Sequence, residues 1–222
     1  MLAIARYFTR NHGIRAYLDA FIASSLLALF LFTFVVRTFL IPSISMLPTL
    51  QVGDVVLVDE LSYRLHPPQR GDVAVFMPPV ASDGEPFIKR VVGIPGDRLN
   101  IEDGKLSIDG RPIAEPYEEQ APRYNLRVAE YDMIVDGIRL DPSVANIPAS
   151  SQWQASDTIP QGYYLMLGDN RNESDDSHVW GFAQVHGIYA AGPLAGTARA
   201  GFVGRAIAVV WPLSHFHLLP TK

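Results

Sequence analysis

The chain has 222 residues, 48% of them hydrophobic and 18% charged, with 17 glycines, 17 prolines and no cysteine. That length suits one domain with an elaboration, and the apolar content is too high for a disordered segment. The missing thiols exclude disulfides, cysteine-ligated metals and a cysteine nucleophile, and a net charge of −5 argues against a surface that coats nucleic acid.

In chain order the first element is apolar. Residues 1–41 carry Arg6, Arg10, Arg15 and Arg37 against Asp19 alone, which leaves a charge of −8 on the remainder. From Ala20 to Val36 there are 17 consecutive uncharged residues, and with Arg37 snorkelling the run reaches Ile41. A helix over 20–41 spans roughly 33 Å, enough for a hydrocarbon core. The arginines ahead of it place residues 1–19 in the cytoplasm and the rest of the chain on the exported side. Pro42 is expected to end the helix. Ser43-Ile44-Ser45 has the small-x-small form of a signal cleavage site, but the apolar run exceeds a signal core of about 7–15 residues. An uncleaved anchor is therefore expected.

Beyond Pro42 short β-rich runs alternate with Gly, Pro and Asp. Strands are expected at Asp54–Asp59, Val73–Met77, Phe87–Ile94, Arg98–Ile101, Lys105–Ile108, Tyr163–Leu167 and Arg205–Trp211. The runs flanking Asp103-Gly104 read as a hairpin. No amphipathic helix of useful length is visible, so the class is mainly β. Residues 102–160 are polar and irregular and read as an inserted smaller β subdomain, with the core formed by 42–101 and 161–222. Gly192–Gly204, rich in small residues, reads as a loop.

Several chemistries lack their motifs. There is no G-x-G-x-x-G, Walker loop, H-E-x-x-H or G-x-S-x-G, and the six histidines are scattered, so neither a metal nor a cofactor is expected. Gly168–Gly181, GDNRNESDDSHVWG, does not fit a calcium loop, because Arg171 and Glu173 fall at ligand positions and no glycine stands sixth. Asn172-Glu173-Ser174 matches a glycosylation acceptor, which matters only in a eukaryotic secretory route. Lysine is rare, at three against fifteen arginines. Lys89 lies in the middle of the run FIKRVV, on the face of Phe87 and Val91 and opposite Arg90. An amine lodged there loses its charge more easily, and a neutral amine can take a proton from a serine hydroxyl. On residues alone, the alternatives are an edge-strand lysine with its head in water and a polar linker at PSISMLPTL.

Four blocks in order tip that balance: IPSISMLPTL, GDVVLVDE, RGDVAVF with FIKRVVGIPGD, and GDNRNESDDSHVWG. With the preceding apolar run they resemble the type I signal peptidases, membrane-bound Ser–Lys endopeptidases that remove signal peptides from exported preproteins. The resemblance implies Ser45 as nucleophile and Lys89 as general base. It implies Ser43 as an oxyanion donor beside the Ser45 backbone N–H, and Ser174 as the hydroxyl that orients the lysine. Asp169, Arg171 and Asp176 then support the catalytic loop, and Ile41 and Ile88 line pockets for small side chains. The implied partners are preproteins with Ala-x-Ala sites and membrane lipid, and the implied setting is the exported face of a bacterial inner membrane. His178 departs from a usual arginine and Asn172 from a frequent aspartate, and residues 183–200 exceed the usual short link. A dedicated conjugation or pilin-processing peptidase of the same family and a non-catalytic β scaffold remain as alternatives. A self-cleaving repressor protease is disfavoured by the anchor.

Overall fold

A computed structural model describes residues 15–29, 35–80, 85–142, 145–147, 156–188 and 199–220. Two antiparallel sheets account for most of them. Among the described residues the larger sheet has nine strands. Its path starts with β1 (Val36–Leu40), β2 (Val55–Asp59) and β14 (Arg199–Trp211), and continues through β3 (Val73–Met77), β4 (Phe87–Gly93), β11 (Tyr163–Leu167) and β12 (Ala183–Gln184). β13 (His186–Ile188) and β15 (His217–Leu218) also pair with β14. The smaller sheet has the order β10 (Ile138–Arg139), β9 (Asp132–Val135), β8 (Leu126–Ala129), β5 (Leu99–Glu102), β6 (Lys105–Ile108) and β7 (Arg111–Pro112). It begins at Leu99, slightly ahead of the expected boundary at 102. All seven expected strands are present within a residue or two, apart from the longer β14, and β5 and β6 meet at Asp103-Gly104.

The alternation of each strand decides what it covers. Leu99 and Ile101 of β5, Leu106 and Ile108 of β6, and Leu126 and Val128 of β8 turn inward to one core. There they meet Val92, Leu165 and Leu167 from the larger sheet, so the small sheet is packed on that face. A second core lies under the turn after β1, where Ile41, Met46 and Leu50 pack on Val56, Val58, Val73, Val75 and Val209. Burying each such side chain stabilises by about 1.5–3 kcal/mol. The helices after residue 35 are short: α2 (Ser62–Leu65), α3 (Ser177–Trp180) and a single 3₁₀ turn, Leu213–His215.

Two expectations are corrected. Residues 15–29 form a helix, α1, but Val36–Leu40 are strand, so the segment expected as helix over 20–41 changes conformation before its end. β1 is rich in Val, Thr and Phe, which favour strand, and it pairs residue for residue with β2. Arg37 bonds Glu60 at 2.9 Å rather than reaching toward lipid headgroups. No helix among the described residues is long and apolar enough to cross a membrane. The second correction concerns Gly192–Gly204: β14 begins at Arg199, so its last six residues are strand, while 189–198 lie outside the described residues. Small residues there serve close approach, since a Cβ on Gly204 would stand 2.5 Å from the Asp59 carbonyl oxygen.

Candidate active site

Ser45 sits in a turn whose sequence explains its rigidity. Met46 and Leu50 are anchored in the core beneath, and Leu50 N–H donates to the Met46 carbonyl at 2.9 Å. Thr49 Oγ1 donates to Asp169 Oδ2 at 2.5 Å, and Asn170 N–H donates to the Ser45 carbonyl at 3.1 Å. The turn is thus tied to the loop after β11.

β4 brings Lys89 to this turn. Its Nζ lies 2.7 Å from Ser45 Oγ, and both residues are only 5% exposed. Nζ also stands 5.5 Å from the centre of the Phe87 ring. Burial pushes the amine below the ordinary lysine range, against the opposing pull of Asp176, Asp175 and Asp169. A neutral amine hydrogen-bonded to a serine hydroxyl can act as its general base.

The other expected residues fall around this pair. Ser43 Oγ is 3.2 Å from Ser45 Oγ. Ile41 and Ile88 line a cleft of about 450 Å³ together with Phe39, Val75, Ser45 and Lys89. Glu85, Glu173 and Asp175 give that cleft an acidic rim. Asp169 receives Arg90 Nε at 2.7 Å and Nη2 at 2.5 Å, with both residues buried. Arg171 donates from Nε to the Gly168 carbonyl at 3.1 Å. Its guanidinium pairs with Glu115, and although burial opposes its charge, that carboxylate holds its pKa above the ordinary arginine value. Asp176 caps α3, accepts Gly168 N–H at 2.9 Å on Oδ2, and lies 2.7 Å from His178 Nδ1 through Oδ1. His178 thus reaches the acid despite replacing an arginine. Ser174 differs from its expectation: its Oγ is buried and has no hydrogen-bond partner, so it does not hold the lysine amine. It sits close to Gly168, where an added Cβ would run into it.

Sequence reading did not single out Gly168, Arg90, Thr49, Glu115 or Tyr117. A Cβ on Gly168 would collide with both the Ser45 carbonyl oxygen and Ser174 Oγ, so only glycine lets the loop lie this close to the nucleophile turn. Arg90 was placed on the opposite face of β4, and an acid to match it was present in GDNRN. Among the described residues no cluster of His, Asp and Glu is placed to hold a metal ion.

Residues 14–211 match the family described as signal peptidase, peptidase S26. A signal peptidase I of Leptolyngbya laminosa is 36% identical over 86% of this chain and 76% of its own length. One from Pseudomonas aeruginosa is 34% identical over 87% of this chain and 72% of its length. A signal peptidase IB of Staphylococcus aureus is 32% identical over 82% of each.

Proposed function

The chain belongs to the signal peptidase family, peptidase S26, and on that premise we propose that it is a serine endopeptidase that cuts signal peptides from exported preproteins with a Ser45–Lys89 dyad. The observation that carries this reading is the 2.7 Å contact between the Ser45 hydroxyl and a buried amine whose pKa burial lowers.

The substrate enters the cleft as an extended segment, with Ile41 and Ile88 favouring small residues before the cut. Ser45 Oγ attacks the scissile carbonyl while its proton passes to Lys89 Nζ. The developing oxyanion is met by the Ser45 backbone N–H and the Ser43 hydroxyl. The resulting ammonium gives its proton to the departing amine, leaving an acyl-serine. Water then attacks that ester, Lys89 again taking the proton, and Ser45 is regenerated. Asp169, Arg171 and Asp176 hold the loop that backs the dyad.

The setting we assign is a bilayer surface. In α1 every described residue is exposed, Phe21 at 70% and Leu26 at 61%, and a helix so apolar needs an apolar environment. At one end of the large sheet Leu40 pairs with Val55, which pairs with Trp211. There Trp211, Leu213, Phe216 and Leu218 stand more than half exposed. Such a rim suits lipid contact. The natural substrate is then a membrane-tethered preprotein with an Ala-x-Ala site.

The test is cleavage of such a preprotein by the purified chain in detergent, beside Ser45→Ala and Lys89→Ala. Wild type cleaves at the single site; Ser45→Ala falls by on the order of 10⁶ and Lys89→Ala by roughly 10²–10⁴. Equal cleavage by all three overturns the reading.

A further inference from the structure

The connection from β7 to β8, residues 113–125, belongs by chain order to the small sheet, yet its contacts run to the loop after β11 in the large one. Glu115 grips the Arg171 guanidinium with both oxygens, Oε1 at 2.6 Å from Nη2 and Oε2 at 2.8 Å from Nη1. The Arg90 guanidinium lies over the Tyr117 ring, its Cζ 3.8 Å from the ring centre. Its hydroxyl donates to Glu115 Oε1 at 3.0 Å, which joins the two anchors. Glu119 N–H donates to the Asp169 carbonyl at 3.1 Å. Farther along, Tyr124 stacks on His178 at 4.3 Å and 6°.

None of these residues lines the cleft. They touch the charged groups one step behind it: Arg90 holds the Asp169 carboxylate, and Arg171 holds the Gly168 carbonyl. Gly168 in turn packs on Ser45.

We propose that this strap is a positioning element of the reaction, in which Tyr117 holds Arg90 on Asp169 and Glu115 holds Arg171 on Gly168, so that the catalytic loop stays seated against Ser45 and Lys89. The inference rests on the dyad reading above. A guanidinium on an aromatic face is attracted by the ring quadrupole, and the attraction is larger when water is excluded. Without the ring, Arg90 is free to leave the carboxylate, and Asp169, left with Thr49, adds more of its charge to that of Asp175 and Asp176 on Lys89. A nearby anion favours the ammonium form, so less of the enzyme carries a free base at a given pH. Substrate contacts in the cleft are untouched.

The experiment is steady-state cleavage of a preprotein by the full chain in detergent, as a function of pH, for wild type, Ser45→Ala, Tyr117→Leu and Tyr117→Phe. The phenylalanine keeps a ring over Arg90 and loses only the hydroxyl. Tyr117→Leu lowers kcat about tenfold or more with KM within about twofold, and moves the acid limb of the kcat/KM profile upward by about half a pH unit. Tyr117→Phe stays within about threefold of wild type and keeps the wild-type limb. Where Tyr117→Leu does not fold, Tyr117→Met, of similar bulk and without a π face, is held to the same outcome. A folded Tyr117→Leu or Tyr117→Met with wild-type kcat, a rise in KM alone, an unmoved acid limb, or equal losses in Tyr117→Leu and Tyr117→Phe overturns the strap's role. Those results leave the dyad standing as long as wild type cleaves and Ser45→Ala does not. Failure of wild type to cleave, or cleavage by Ser45→Ala, removes the dyad and the strap's role with it.

Discussion

Lys89 and Arg90 are neighbours in sequence whose side chains leave β4 on opposite faces, one ending 2.7 Å from Ser45 Oγ and the other on both oxygens of Asp169. A single strand therefore positions the base and, through Asp169 and Thr49, the turn that carries the nucleophile. It also separates the two cations electrically. The arginine is neutralised by its own partner, while the lysine bonds the serine hydroxyl and its pKa is lowered by burial.

Removing Asp169's charge tests that division. Asp169→Asn leaves the Arg90 guanidinium buried against a neutral partner, and a broken buried pair costs about 3–5 kcal/mol. It also removes one of the anions that favour the Lys89 ammonium. Chemical denaturation is expected to show the loss, and the acid limb of cleavage by the folded fraction is expected to move to lower pH. The double variant Arg90→Met with Asp169→Leu is expected to lose less than the two single losses added together.

Gly168→Ala is expected to act on the nucleophile turn without removing a polar group. The new methyl meets the Ser45 carbonyl and Ser174, and overpacking of this kind costs about 1–3 kcal/mol. Thermal unfolding gives the stability term. Single-turnover cleavage gives the rest, and kcat is expected to fall more than KM rises because Ser45 is what must move.

Lys89 links stability to pH with a definite sign. In the unfolded chain the amine is protonated up to the ordinary lysine range, whereas in the folded site its pKa is lowered by burial. Between the two values folding expels a proton, so this group's contribution to stability rises with pH across that window. Below the folded value the buried ammonium burdens the fold in full. Lys89→Met is therefore expected to be more stable than wild type at neutral pH. Its advantage should shrink as pH climbs toward about 10.4. A constant difference across the window contradicts the lowered pKa.

Trp211 reports on the membrane rim. It is 59% exposed, whereas Trp180 is 1% exposed in the core. In vesicles of brominated lipid the full chain is expected to show quenched tryptophan emission, and Trp211→Phe is expected to lose the quenched component. Quenching that survives this substitution unchanged places the rim away from the acyl chains.

Much of this site was readable because its parts sit in short, dense motifs. PSISMLPTL was readable through its likeness to a family block, since its residues alone also fit a polar linker; in the fold Met46 and Leu50 anchor it in the core. Alternation along FIKRVV puts Lys89 and Arg90 on opposite faces, and their partners in the fold lie on opposite sides of the strand. The strap was not readable, because Glu115 and Tyr117 lie in an irregular stretch with no period and act on residues distant in sequence, Arg171 and Arg90. The end of the apolar run was misread for a related reason. Val36–Leu40 is apolar enough for a helix, and only the β2 partner across from it selects strand.

The lysine amine itself gives the most direct test. The chain has three lysines, Lys89, Lys105 and Lys222, so selectively labelled side-chain amines give three resonances, one of which disappears in Lys89→Ala. The Lys89 resonance is expected to titrate below the ordinary lysine range, at the pH where the cleavage rate rises. A Lys89 amine that titrates in the ordinary lysine range contradicts the proposed base.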